Sequence, residues 1–66
     1  MPDIVLNGEA RTTGGATLGD LLAELGLDPR WVVAEVNGEP VDRGRFASVP
    51  IRTGDRIELV RPVAGG

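Results

Sequence analysis

Apolar residues along this chain fall into short runs with two different periods. Ile4-Val5-Leu6 is the first run, preceded by Asp3 and closed by Asn7-Gly8. Asn and Gly both tolerate positive φ, so this pattern predicts a short strand and a tight type I′ turn. Glu9 to Thr13 returns as a second strand. It is weakly apolar, which places it at a sheet edge, and Gly14-Gly15 ends the hairpin.

The period then changes to that of a helix. Thr17 is the expected N-cap, with Asp20 three residues on in the place of a capping-box acid. Asp is shorter than the usual Glu at that position. Leu18, Leu21, Leu22 and Leu25 make one apolar stripe. Gly26 suits a left-handed C′ position, and Leu27 is placed to pack back on the last turn. Asp28-Pro29 stops the helix, leaving about three turns, enough to cover one face of a small sheet.

Trp31 to Val36 reads as the third strand. Val32, Ala34 and Val36 share one side, and Trp31, Val33 and Glu35 the other. Large aromatics usually bury most of their area, so Trp31 is expected to cover the edge of the core, with a solvent-facing place beside the Asp28-Pro29 loop as the alternative. Asn37-Gly38 is a second turn signal. Glu39-Pro40-Val41 is a short extended piece whose proline points to an edge. Asp42 to Pro50 is the least periodic stretch, with Phe46 and Val49 expected to plug the open end of the core. Arg52 to Asp55 is a turn, and Arg56 to Val60 is the last strand. Ile57 and Leu59 share one of its faces, Glu58 and Val60 the other.

The order strand, strand, helix, strand, short strand, strand predicts an α+β domain. The opening hairpin and the final strand lie together at the middle of a mixed sheet of four to five strands. One main helix crosses one face, reached by a right-handed crossover. That arrangement is the β-grasp, or ubiquitin-like, fold. It spans residues 1–60, and residues 61–66 follow as a thin tail, Arg61-Pro62-Val63-Ala64-Gly65-Gly66.

Composition narrows the function. With 66 residues, the chain is one domain near the lower limit for independent folding. It has no cysteine and no histidine, so it has neither a disulfide staple nor the usual soft metal ligands. The carboxylates do not have calcium-loop spacing, and no metal site is expected. Ten acidic against seven basic residues give a net charge of −3 without a basic cluster, which argues against nucleic acid and for a partner with a positive docking surface. No apolar run is long enough for a membrane span or a signal peptide, so the cytoplasm is the expected location. All seven basic residues are arginine. Genomic or thermal bias explains this most simply, but its consequence is that no lysine is present to accept an isopeptide bond.

Two final glycines can be nothing more than a frayed end. After a β-grasp pattern, however, they have a use. Without Cβ atoms they form the thinnest peptide, able to pass a narrow channel and present the Gly66 carboxylate to a buried active site. That carboxylate is inert because its leaving group would be oxide. Transfer of AMP from ATP gives a mixed anhydride with a good leaving group. A persulfide can then attack it, leading to a C-terminal thiocarboxylate that carries nucleophilic sulfur.

The residues resemble a known family. Val5-Leu6-Asn7-Gly8-Glu9, Gly15-Ala16-Thr17-Leu18, Leu21-Leu22 and Leu25-Gly26-Leu27 match the ThiS family, the sulfur carriers of thiamin (thiazole) biosynthesis. So do Val33 through Glu39, Val41, Arg43, Gly54 through Glu58, and Gly65-Gly66. The resemblance implies that a ThiF-like enzyme adenylates Gly66 using ATP and magnesium. It implies sulfur from a cysteine desulfurase or another persulfide source, and delivery to a ThiG-like thiazole synthase. It also implies that the carrier binds no cofactor tightly, has no catalytic residue of its own and is a regenerated co-substrate.

The ending Pro62-Val63-Ala64-Gly65-Gly66 also resembles the molybdopterin synthase small subunit, which shares the terminal chemistry. That family is usually longer and commonly has a phenylalanine-rich strand where this chain has Glu58-Leu59-Val60. Three other classes stay open: a protein modifier, which would end joined to a target; a non-catalytic binding domain; and an autonomous enzyme, which has little support without a histidine or cysteine. For the carrier and the modifier, the expected partner surface is the sheet face away from the helix. There Val33 and Val60 are candidate anchors, flanked by Glu35, Arg56 and Glu58. Scattered surface valines are the plainer alternative.

Overall fold

The structure, a computed structural model, describes residues 1–62. The expectations for Val63, Ala64, Gly65 and Gly66 lie outside the described residues. Five strands and one α-helix follow one another as β1 (Asp3–Leu6), β2 (Glu9–Thr12), α1 (Leu18–Glu24), β3 (Val33–Val36), β4 (Glu39–Val41) and β5 (Arg56–Val60). The strands form one sheet in the order β2-β1-β5-β3-β4. β1 and β5 run parallel at its centre, and the other neighbours are antiparallel. Both β2 and the proline-bearing β4 are edges, as their composition predicts. This is the expected β-grasp.

Local chemistry accounts for the turns. Asn7 and Gly8 have φ of 49° and 84°, and Asn37 and Gly38 have φ of 53° and 83°. Two successive positive φ values are the type I′ signature, with the twist a hairpin needs. The helix opens on a complete capping box. The Asp20 N–H donates to Thr17 Oγ1 (3.2 Å), and the Thr17 N–H donates to Asp20 Oδ2 (3.1 Å). The shorter acid therefore suffices, and the same Oδ2 also accepts from the Ala16 N–H at 3.1 Å. At the other end the Gly26 N–H reaches the Ala23 carbonyl (3.1 Å) and the Leu27 N–H reaches the Leu22 carbonyl (2.9 Å). With Gly26 at φ 72°, these two bonds make a Schellman motif.

The core forms where the helix stripe meets the inner sheet face. Leu18, Leu21 and Leu22 pack against Ile4, Val32, Ala34, Ile57 and Leu59, with Phe46 and Ile51 closing the open end. Phe46 lies in a 3₁₀ stretch, Arg43–Ser48, which packs on α1. Gly19 suits their close approach, because a Cβ there would sit 3.3 Å from the Ala47 Cα, tight enough that the 3₁₀ stretch would have to give by a few tenths of an ångström. Val49 is only half-buried against the core, and its carbonyl accepts from the Leu18 N–H at 2.9 Å.

Two expectations fail. The helix is seven residues, about two turns rather than three, because both caps fall where expected and Thr17 and Leu25 leave only Leu18–Glu24 between them. Trp31 is not in β3 and does not cover the core. It ends a 3₁₀ turn, Pro29–Trp31, and is 63% exposed. Asp28 caps this turn through the Arg30 N–H (2.9 Å), so the chain is still curling at Trp31 and enters the sheet two residues later.

Candidate functional site

β5 is the strand from which the tail leaves, and its central place gives it a partner on each flank. Alternation sends Ile57 and Leu59 into the core and leaves Arg56, Glu58 and Val60 exposed. Antiparallel register with β3 sets Val33 opposite Val60 and Glu35 opposite Glu58. The five residues expected as the partner surface therefore come together on one sheet face. They line a shallow depression of about 280 Å³, to which Gly38 also contributes. Parallel pairing puts Val5 beside Arg56, and Ala10 pairs with Val5, so the apolar character continues toward β2. Val33 and Val60 are each more than half exposed.

The electrostatics of this face are unbalanced. Glu35 and Glu58 stand directly across from each other, an arrangement that destabilises a strand pair. Neither joins an ion pair among the described residues, where the pairs formed are Arg11–Glu24 and Arg30–Asp28. A partner cation placed between the two carboxylates would relieve their repulsion, with the Val33–Val60 pair beside them excluding water on one side.

Two asparagines hold β5, a role that sequence reasoning missed. Asn7 Nδ2 donates to the Leu59 carbonyl (3.1 Å), and the Leu59 N–H donates to Asn7 Oδ1 (2.8 Å). At the start of the strand the Arg56 N–H donates to Asn37 Oδ1 (2.9 Å), while Asn37 Nδ2 donates to Asp55 Oδ1 (3.0 Å). The available signal was the choice of Asn in both turns, where Asp or Gly serves the backbone equally well. Past Val60, Arg61 and Pro62 are exposed; Gly65 and Gly66, the expected chemical end, are outside the described residues.

Among the described residues no group of His, Cys, Asp or Glu side chains is placed to hold a metal ion. No helix there is long and apolar enough to cross a membrane.

Comparison with known proteins gives a consistent result. The sequence model of the ThiS family matches residues 4–66. A sulfur carrier protein ThiS from Thermus thermophilus is 36% identical over 61 residues, covering 92% of this chain and 95% of that protein. Thiazole synthases from Paramagnetospirillum magneticum and Magnetococcus marinus are each 41% identical over 64 residues. The chain spans only 20% of the length of either synthase. The crystal structure of the thiamine biosynthesis protein ThiS from Geobacter metallireducens superposes with a TM-score of 0.81 at 29% identity, covering 97% of this chain and 99% of that one. Fold, length of match and sequence agree: this chain belongs to the ThiS family.

Proposed function

We propose that this protein is a sulfur carrier of thiamin biosynthesis, its Gly66 carboxylate serving as the attachment point for sulfur. The observation that carries the proposal is the match along 95% of a relative named sulfur carrier protein, joined to the Gly65-Gly66 end that lies within the family match. In the first step a ThiF-like enzyme lets the Gly66 carboxylate oxygen attack the α-phosphorus of ATP, with magnesium, and pyrophosphate leaves. The terminal sulfur of a persulfide then attacks the acyl carbon and AMP leaves. A thiol cleaves the resulting acyl disulfide, taking the persulfide's carrier sulfur into a new disulfide and freeing the thiocarboxylate.

The β3–β5 face is the docking surface for the activating enzyme in this reading. Val33 and Val60 are its apolar anchors, and Glu35 and Glu58 attract a basic side chain, with Arg56 at the rim. A ThiG-like thiazole synthase is the recipient. Supporting this, two proteins named thiazole synthase contain a segment like this chain within their own length. Such covalent joining raises the effective concentration of donor at acceptor. The protein acts as a co-substrate and uses no catalytic side chain of its own.

Intact-mass measurement tests the proposal. The protein is incubated with a ThiF-like enzyme, ATP, magnesium and either sulfide or a cysteine desulfurase with cysteine. The expected product is heavier by the difference between one sulfur and one oxygen atom, with the change confined to Gly66. Joining to a second chain would instead identify a modifier. An unchanged mass with the thiamin enzymes, but sulfur gain with molybdopterin enzymes, would move the protein to the other pathway.

A further inference from the structure

We propose that Asn7 is a positioning residue, whose side-chain amide grips Leu59 and so sets the direction in which Arg61 and the residues after it leave the sheet. This deepens the sulfur-carrier reading and rests on it for its functional consequence.

The argument begins with the β1–β5 ladder. The Val5 N–H donates to the Asp55 carbonyl (3.0 Å) and the Asn7 N–H to the Ile57 carbonyl (2.9 Å). The next rung of a parallel ladder would engage Leu59. At that point β1 has run out, because Asn7 and Gly8 turn the chain back into β2. The Asn7 side chain supplies the missing rung, accepting from the Leu59 N–H and donating to its carbonyl. A primary amide carries a donor and an acceptor in one plane, as a peptide group does. Asp has no donor to give, and Gln would overshoot by one methylene.

That rung is the last described grip on the β1 flank of β5. One residue later Val60 is held on the other flank by its pairing with Val33. The exit of the chain is thus fixed from both sides, immediately before exposed Arg61 and Pro62. A tilt at this base redirects Arg61 and Pro62, and reaction at a carboxylate carried on the same chain is sensitive to misplacement of about 1 Å.

Asn37 provides an internal control. It also sits in an Asn-Gly turn, with a side chain making two hydrogen bonds, but at the opposite end of β5. Asn7→Gly and Asn37→Gly both keep a residue that accepts positive φ, and each removes a comparable clamp. Only the first lies next to the exit.

The experiment compares the full chain and these two variants by NMR and by ATP–pyrophosphate exchange with a ThiF-like enzyme. In Asn7→Gly the Leu59 amide should lose exchange protection, and order parameters at Val60 and Arg61 should fall below about 0.6 from rigid-backbone values. Its kcat should fall about tenfold with KM within about twofold, since docking is intact and placement is lost. Asn37→Gly should leave both Val60 and Arg61 order and kcat near wild type. Asn7→Asp, which keeps the acceptor but not the donor, should fall between and provides a folded variant if glycine proves too disruptive. Unchanged order at Val60 and Arg61 with an unprotected Leu59 amide overturns the proposal, as does equal loosening by Asn37→Gly. Loss of exit order with undiminished kcat also overturns the positioning role. Failure of wild type to exchange pyrophosphate counts against the sulfur-carrier reading, and the NMR comparison still decides whether Asn7 holds the exit.

Discussion

Thr13, fully buried at the end of the opening hairpin, donates its hydroxyl to Glu24 at the last turn of the helix (2.8 Å). The Thr13 hydroxyl oxygen also accepts from the Gly15 N–H at 3.0 Å, and the second Glu24 oxygen, Oε1, accepts from the Gly14 N–H at 3.0 Å. Arg11 lies 3.7 Å from the carboxylate. One acid therefore ties β2 and its glycine exit to the far end of α1. Thr13→Val keeps the shape but leaves the Gly15 N–H without its partner. It should cost about 1–3 kcal/mol, read as a lower urea midpoint.

Acid should weaken the protein in a predictable window. The Gly14 N–H, the Thr13 hydroxyl and Arg11 hold the Glu24 carboxyl below its ordinary 4.5. The Arg30 side chain and its backbone N–H hold the Asp28 carboxyl at about 2, against an ordinary 3.8. Both folded values are depressed, so both contributions are fully present above the unfolded values. They are lost as pH falls through 4.5 and 3.8 toward the folded ones. Thermal melts should show a decline beginning near pH 4.5 and continuing to about pH 2. Glu24→Gln should remove the upper part of that decline and Asp28→Asn the lower part. A flat profile between these limits would refute the assignment.

The exposed sheet face should be separable from the fold. Val60→Asp places a third carboxylate beside Glu35 and Glu58 and removes an apolar anchor. The ThiF-like complex should weaken at least about tenfold, a loss of roughly 1.4 kcal/mol, while the melting temperature changes little. An unchanged Kd would retire this patch as the docking surface.

Glu58→Gln should act in opposite directions on stability and binding. Relief of the carboxylate pair should stabilise the free chain by about 0.2–1 kcal/mol. The complex should weaken and lose part of its salt dependence, because a basic partner group loses its counter-charge. Denaturant titration and binding at two ionic strengths measure the two effects.

Trp31→Ala should be nearly silent in stability, within about 0.5 kcal/mol, because the ring is mostly in solvent. A large loss would mean that the indole buries area elsewhere.

The fold was legible in the sequence wherever one residue's neighbours in the chain decide its conformation. The Asn-Gly pairs specify positive φ at successive positions. Thr17 and Asp20 lie within reach of one helical turn, and alternation along Val32 to Val36 sorts core from solvent. The same alternation assigned Val33, Glu35, Arg56, Glu58 and Val60 to one face, and the element order fixed their strands as neighbours. What only the tertiary structure decided depends on groups far apart in the chain meeting at hydrogen-bond distance. Asn7 and Leu59 are 52 positions apart, and Thr13 meets Glu24 only after the helix has docked. Trp31 lies in solvent because a capped 3₁₀ turn delays the start of β3, and aromatic burial is only a tendency that this turn overrides. Backbone preference is encoded locally, whereas a side chain's second partner is set by register and packing, which emerge only once all five strands are in place.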